Sequence, residues 1–292
     1  MKAFIHKALL RASLLFGSWP IRFFAWWIAT GYFLFRSSRR RSSIHLYQVI
    51  FPDRSPGYYL YCTWRQFHSY AATFAERIEF AREKGVTTST QGRENLVEAA
   101  RRGSGGIILM SHLGSFEIAA QAFRELKLKL LLIMGEKEAK QVARDQREAM
   151  KARGIHIQVA TAQEDFLFSG VEAIKFVREG GFVSVAGDLV WTEQRSRLPV
   201  SFFGREVGLS AGPHLLALVS NAPLFTMFTF RAEKGKYLVR MSPPREVKAP
   251  SRSERNNALQ ASAQAYANAL EAIVRQHPFQ WYIFEPFFEL HV

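Results

Sequence analysis

The feature that most narrows the folds open to this chain is the regular alternation of short apolar runs with helical patterns between Val86 and Ala186. Runs rich in β-branched residues and leucine at 86–90, 107–110, 128–134, 155–160 and 182–186 read as strands. Between them 94–102, 115–126, 139–153 and 166–178 carry the apolar spacing of helices. Alternation at this pitch yields an α/β fold with a central, mostly parallel sheet flanked by helices. Downstream, 198–204 reads as a further strand and 210–220 as a helix with Ser210 as its N-cap and Pro213 in its first turn. Residues 224–231 and 236–241 read as a closing strand pair, and 255–276 as a last helix.

The sharpest local signal follows the second predicted strand. Gly106-Ile107-Ile108-Leu109-Met110 runs straight into Ser111-His112-Leu113-Gly114-Ser115-Phe116-Glu117. That order puts His112 at a strand's carboxyl end, the edge where ligands collect in open α/β sheets. Two residues five apart on one helix stand roughly 140° apart on the wheel and cannot touch. With His112 in the loop and Glu117 in the first helical turn, the carboxylate can fold back and hold one tautomer of the imidazole. The pair reads as a general base with its orienter. Asp188 follows the strand 182–186 and lies at the same edge, fit to bind an acceptor or to cap a loop. Arg147 and Arg153, on or near the helix 139–153, are fit to hold a phosphate or an oxyanion. Gly114, Ser115, Arg147, Arg153 and Asp188 are thus the candidate substrate-binding residues.

Ahead of this unit, residues 9–35 are strongly apolar, interrupted by Arg11, Pro20 and Arg22. A spanning helix needs about 20 apolar residues. Two short helices broken near Pro20 and lying in a membrane interface fit better, with Trp19, Trp26, Trp27 and Tyr32 at headgroup depth. No small-residue cleavage site of a secretory signal follows. Instead comes Arg36-Ser37-Ser38-Arg39-Arg40-Arg41, a cluster that attracts anionic lipid at about 1 kcal/mol per charge and marks the cytoplasmic side. The formal charge of +14 likewise asks for an anionic partner, and a 14% aromatic share favours a membrane surface over nucleic acid, for which no module is recognisable. Residues 58–84 form an amphipathic helical pattern whose aromatic stripe, Trp64, Phe67, Tyr70, Phe74 and Phe80, is expected in the core. No linker separates these parts, so the organisation expected is an N-terminal membrane-associating segment, 1–54, carried by one catalytic domain, 55–292.

Rival chemistries find less support. The lone Cys62 excludes an intramolecular disulfide and reads as a packed core residue. The histidines are scattered, no metal-ligand spacing occurs, and no glycine loop cradles a cofactor phosphate, so neither metal nor cofactor is expected. Gly208-Leu209-Ser210-Ala211-Gly212 matches the nucleophile-elbow pattern of serine hydrolases, which needs a strand running into the serine. A strand ending by Phe203 does not supply it. A lipase or thioesterase using Ser210 and a non-catalytic lipid-binding protein stay as the two alternatives.

At His112-Leu-Gly-Ser-Phe-Glu117 the sequence resembles the lysophospholipid acyltransferase superfamily, whose signature is His, four residues, then Asp or Glu. The arginine cluster ending in Phe51-Pro52, then Gly187-Asp188, Phe202-Phe203-Gly204, 212–217 and His277-Pro278 through Trp281 resemble blocks of the bacterial lipid A late acyltransferases. The resemblance runs in order along nearly the whole chain. It implies transfer of an acyl chain from acyl carrier protein or acyl-CoA to a lipid hydroxyl or amine, with His112 and Glu117 catalytic. It also implies residence on the cytoplasmic face of a bacterial inner membrane. Two departures, Phe202-Phe203-Gly204 in place of a Phe-Pro-Glu-Gly block and Phe284-Glu285-Pro286 in place of a His-Arg-Arg run, point to a divergent member acting on another lipid.

Overall fold

The computed structural model describes residues 19–80, 86–115, 118–119, 123, 126, 128–135, 155–160, 166–188 and 197–288. Three helices come first: α1 (Trp19–Phe35), α2 (Ser37–Ile50) and α3 (Pro56–Phe80). Pro20 lies in the first turn of α1, where its missing N–H is no loss. The arginine cluster sits at the start of α2, so it is helical. α1 packs along α3 and is tied to it by a two-pronged ion pair from Arg22 to Glu79 at 2.8 and 2.7 Å. Its outer side carries Trp19, Phe24, Trp27, Ile28 and Phe35 largely exposed, Phe35 at 84%. Among the described residues no helix is long and apolar enough to cross a membrane.

The strands are β1 (Thr87–Gln91), β2 (Gly106–Met110), β3 (Leu130–Gly135), β4 (Ile155–Ala160), β5 (Phe182–Ala186), β6 (Arg197–Phe202), β7 (Arg205–Ser210), β8 (Leu224–Glu233) and β9 (Lys236–Met241). Seven of them form one sheet in the order β1-β9-β8-β2-β5-β3-β4, parallel throughout except where β8 turns back into β9. The mostly parallel sheet expected from the alternation is thereby found. Helices α4 (Arg93–Arg101), α5 (Phe166–Arg178), α6 (Gly212–Ser220) and α7 (Arg255–Gln276) complete the described elements. The predicted helix 139–153 lies outside the described residues; of 115–126, Ile118, Ala119 and Phe123 are described as helical and buried.

Strand β2 shows why its residues are so uniformly apolar. Ile107 and Leu109 face a core shared with α2, α6 and α7, while Ile108 faces a second core with Leu96, Phe182 and Phe225. Successive side chains point to opposite faces, and both faces are covered. Burying each such side chain contributes about 1.5–3 kcal/mol.

Two expectations change. The aromatic stripe of α3 is not its buried face: Phe67 is buried, but Tyr70 and Phe74 are exposed, and the inward stripe is Cys62, Gln66, Ser69, Thr73 and Glu76. That stripe lies one residue, about 100°, round the wheel. It is polar because it meets polar partners: Gln66 bonds the carbonyls of Trp281 and Ile283, Ser69 the Tyr282 hydroxyl, and Glu76 the Tyr237 hydroxyl. Cys62 is fully buried, as expected.

The second change concerns Ser210. β6 and β7 form an antiparallel hairpin apart from the main sheet, closed by Phe203 and Gly204 at φ of 50° and 72°. Two consecutive positive φ values are the mark of a tight hairpin turn whose twist suits its strands. β7 therefore runs straight into Ser210, and Ala211, not Ser210, caps α6, with no side-chain cap bond. The strand reaching Ser210 is thus the second of the pair, not the one read as ending by Phe203, and the N-cap assignment is displaced with it. Gln264 of α7 completes the hairpin's fixation by bonding both backbone groups of Ser201 at 2.8 Å.

Candidate active site

The site is built by register. In the parallel pair β2–β5, Gly106 lies opposite Phe182 and Met110 opposite Ala186. Continuing each chain by two residues brings His112 opposite Asp188. The Gly187 N–H donates to the Met110 carbonyl at 2.9 Å, which keeps the two chains together past their last paired residues. Adjacent strands stand about 4.8 Å apart, so neighbours at one edge have side chains within hydrogen-bond reach.

Asp188 is fully buried and accepts three bonds. Its Oδ2 takes the backbone N–H of His112 at 2.7 Å and the indole N–H of Trp281 at 2.8 Å. Its Oδ1 lies 2.9 Å from Nδ1 of His112. Asp188 thus gathers donors on both its oxygens. A proton on Nδ1 suits this contact, and in that tautomer Nε2 is the basic nitrogen. The imidazole is partly exposed, at 28%, so the ring's far side opens outward from an otherwise buried cluster.

The surroundings fix this pair in place. Tyr266 of α7 donates its hydroxyl to the Met110 carbonyl at 2.8 Å, and burial together with the Asp188 charge pushes its pKa well up, so it stays a donor. A strap formed by residues 278–283 crosses the His112 loop: Tyr282 N–H donates to the His112 carbonyl at 2.9 Å, and Gly114 N–H to the Gln280 carbonyl at 2.9 Å. Gln66 of α3 in turn donates to the carbonyls of Trp281 at 2.7 Å and Ile283 at 3.3 Å. Gly114 has φ of 72°, and a Cβ there would stand 1.8 Å from the Thr229 carbonyl oxygen, so the loop passes too close to β8 for any side chain. The buried Ser115 accepts the Ala119 N–H at 3.2 Å on its carbonyl.

A histidine oriented by a buried carboxylate is a general base in search of a proton donor. Such a pair occurs on many folds and does not name a reaction. The family model for bacterial lipid A biosynthesis acyltransferases matches residues 4–289. The chain belongs to this family. A search among curated proteins finds no match. The resemblance drawn from the blocks around His112, Asp188 and Trp281 is thus shown for nearly the whole chain, and membership makes the protein a lipid acyltransferase by class.

Of the residues singled out in the sequence, the fold brings together His112, Gly114, Ser115 and Asp188. The carboxylate at Nδ1 is Asp188, a contact that the sequence reading did not assign to it. Glu117, Arg147 and Arg153 lie outside the described residues. Trp281 and Gln66 were not read as site residues; the one signal for the first was its place in the 277–281 block, and Gln66 offered none. Ser210 ends a strand as an elbow would, yet among the described residues neither a histidine nor a carboxylate bonds its hydroxyl, and the buried His214 nearby bonds Ser262 instead at 2.9 Å. Among the described residues the hydrolase constellation is therefore not assembled.

Proposed function

We propose that the protein is a membrane-associated acyltransferase that moves a fatty acyl chain from an acyl carrier protein or coenzyme A thioester to a hydroxyl, or an amine, of a lipid or glycolipid. The observation that carries this reading is the His112–Asp188 pair at the joined ends of β2 and β5, in a member of an acyltransferase family. The lone pair on Nε2 of His112 takes the proton of the acceptor hydroxyl as its oxygen bonds to the thioester carbonyl carbon. The tetrahedral oxyanion is met by N–H groups at the helix start after Ser115, with Arg147 or Arg153 as a further donor. Collapse breaks the C–S bond, and the proton passes from the imidazolium to the leaving thiolate. Asp188 stabilises the imidazolium through Nδ1, and Glu117, the carboxylate of the signature, stabilises it as well. A thiolate leaves readily, so this route needs no metal.

The exposed aromatic face of α1 and the arginines opening α2 supply the membrane contact under this reading. Tryptophan rings favour headgroup depth and arginines anionic lipid, which suits the cytoplasmic face of a bacterial inner membrane. The basic surface also suits an acidic carrier protein.

His112→Ala and Glu117→Ala, made separately and checked by melting temperature, are each expected to abolish transfer from a radiolabelled acyl thioester to extracted lipid. Near-native rates in His112→Ala would sink the mechanism. Near-native rates in Glu117→Ala alone would leave Asp188 as the only working carboxylate.

A further inference from the structure

On the other side of the strap from Asp188's buried cluster, α3, the end of β8 and residues 276–280 frame a cavity of about 370 Å³. Arg65 and His68 line it from α3, Arg231 from β8, and His277 and Gln280 from the turn, with no carboxylate in the lining. Each basic group is braced from behind by a ring or a hydrogen bond. The Arg65 guanidinium lies 5.2 Å from the ring centre of Phe279 and donates to the Tyr61 hydroxyl at 3.2 Å. His68 lies against Trp64 with ring centres 3.7 Å apart and both its nitrogens engaged, Nδ1 with the Trp64 carbonyl at 2.9 Å and Nε2 with the Thr30 hydroxyl at 3.2 Å, and His277 stacks on Phe230 at 4.2 Å. Arg231 reaches Glu76 at a long 3.5 Å and Ser69 at 3.4 Å, while the other oxygen of Glu76 is held by the Tyr237 hydroxyl at 2.6 Å.

The charge balance of this cavity is one-sided. One buried carboxylate answers Arg231 from behind, and Arg65 meets no carboxylate among the described residues. Arg231 is largely buried, so its charge is screened less than that of the exposed Arg65, and the two together leave the cavity net positive. Planar guanidinium groups suit phosphate oxygens, which they bind two at a time, so Arg65 and Arg231 are the donors of this cavity. The cavity also shares parts with the reaction centre. Ser69 in its wall bonds the Tyr282 hydroxyl at 3.0 Å, and the Tyr282 N–H holds the His112 carbonyl.

We propose that this cavity is a phosphate-binding subsite that anchors a phosphate-bearing substrate of the transfer reaction beside the strap that holds His112. The inference rests on the acyl-transfer reading for the word substrate, but the anion site can be tested apart from it. The phosphate can come from a lipid headgroup on the acceptor or from the thioester donor, and the chemistry of recognition is the same.

Full-length protein in neutral detergent, titrated with inorganic pyrophosphate in a calorimeter, is expected to bind it, with affinity falling about tenfold in Arg65→Ala and recovering in part in Arg65→Lys. Arg65 is exposed, so its loss leaves the fold intact, which an unchanged melting temperature checks. No binding by the native protein overturns the subsite, as does equal binding by native protein and Arg65→Ala. An equal loss in Arg252→Ala, an exposed arginine outside the cavity lining, overturns it in favour of diffuse surface charge. Steady-state kinetics then identifies the source. A rise in KM for a phosphorylated glycolipid acceptor, absent after phosphatase treatment of that acceptor, assigns the acceptor. A rise in KM for the acyl thioester assigns the donor. Unchanged KM for both overturns the anchoring role. If the native protein transfers no acyl group at all, the acyl-transfer reading fails while the pyrophosphate titration still decides the anion site.

Discussion

At the scale of the residue, the decisive contact is between Asp188 and Nδ1 of His112, because it determines which nitrogen can accept a proton. Asp188→Asn keeps the shape and the acceptor oxygen but offers an amide N–H to Nδ1, which turns the imidazole to the wrong tautomer. Initial rates from a labelled thioester are expected to fall about 10³- to 10⁴-fold, with melting temperature little changed. A loss under tenfold would show that Nδ1 needs no carboxylate. Trp281→Phe removes one of the three donors to Asp188 while keeping an aromatic ring in a fully buried place. The expected result is a milder loss in kcat, with KM for the acyl donor nearly unchanged, since Trp281 acts through Asp188. A change confined to KM would place Trp281 at the substrate instead. The place of His112 at a strand end was legible from its position behind an apolar run. Its partner at Nδ1 was not, because Asp188 lies 76 residues away and only strand register brings it near.

At the scale of the element, the parallel register of β2 and β5 does the assembling, and the strap 278–283 does the holding. Gly114→Ala puts a Cβ 1.8 Å from the Thr229 carbonyl at a φ of 72°, so the loop must leave β8 or the strap must yield. A loss of about 2 kcal/mol or more in urea unfolding is expected, together with loss of transfer. Native stability in Gly114→Ala would mean that the loop has another way to sit. The strands and helices were largely legible, because burial on both faces of a sheet leaves a continuous apolar run, and a helix leaves its own period. The pattern of α3 misled, since its aromatic side is the outer one and its polar side is inward. Periodicity reports that a face differs from its neighbours; it does not report what that face will meet. The β6–β7 hairpin was missed for a related reason: Phe203 at positive φ gives no turn signal of the kind that Asn or Asp would.

At the scale of the whole molecule, stability and attachment are the testable properties. His214 is buried between α6 and α7, with Nδ1 on Ser262 and with Nε2 meeting no partner. Burial pushes its pKa down to about 4, below the 6.5 of a free histidine. From pH 6.5 downward the unfolded chain binds a proton that the folded one refuses, so stability falls until about pH 4, by about 3 kcal/mol in all. Urea midpoints measured at pH 7 and pH 4.5 are expected to show this fall, and His214→Gln to flatten it; an equal fall in the variant would assign it to other groups. For attachment, Phe24→Gln, Trp27→Gln and Phe35→Gln together change exposed side chains of α1 without touching the Arg22–Glu79 tie. The triple variant is expected to leave the membrane fraction at moderate salt, and continued sedimentation would place the attachment elsewhere. The sequence by itself determined the α/β class, the histidine at a strand end and the family blocks, because each is written in local spacing. Only the tertiary structure decided that Asp188 grips His112, that Trp281 and Gln66 hold the pair through the strap, and that Arg65 and Arg231 share a cavity. Those contacts join residues far apart in the chain, and they follow from strand order and register, which come from how the whole sheet and its helices pack.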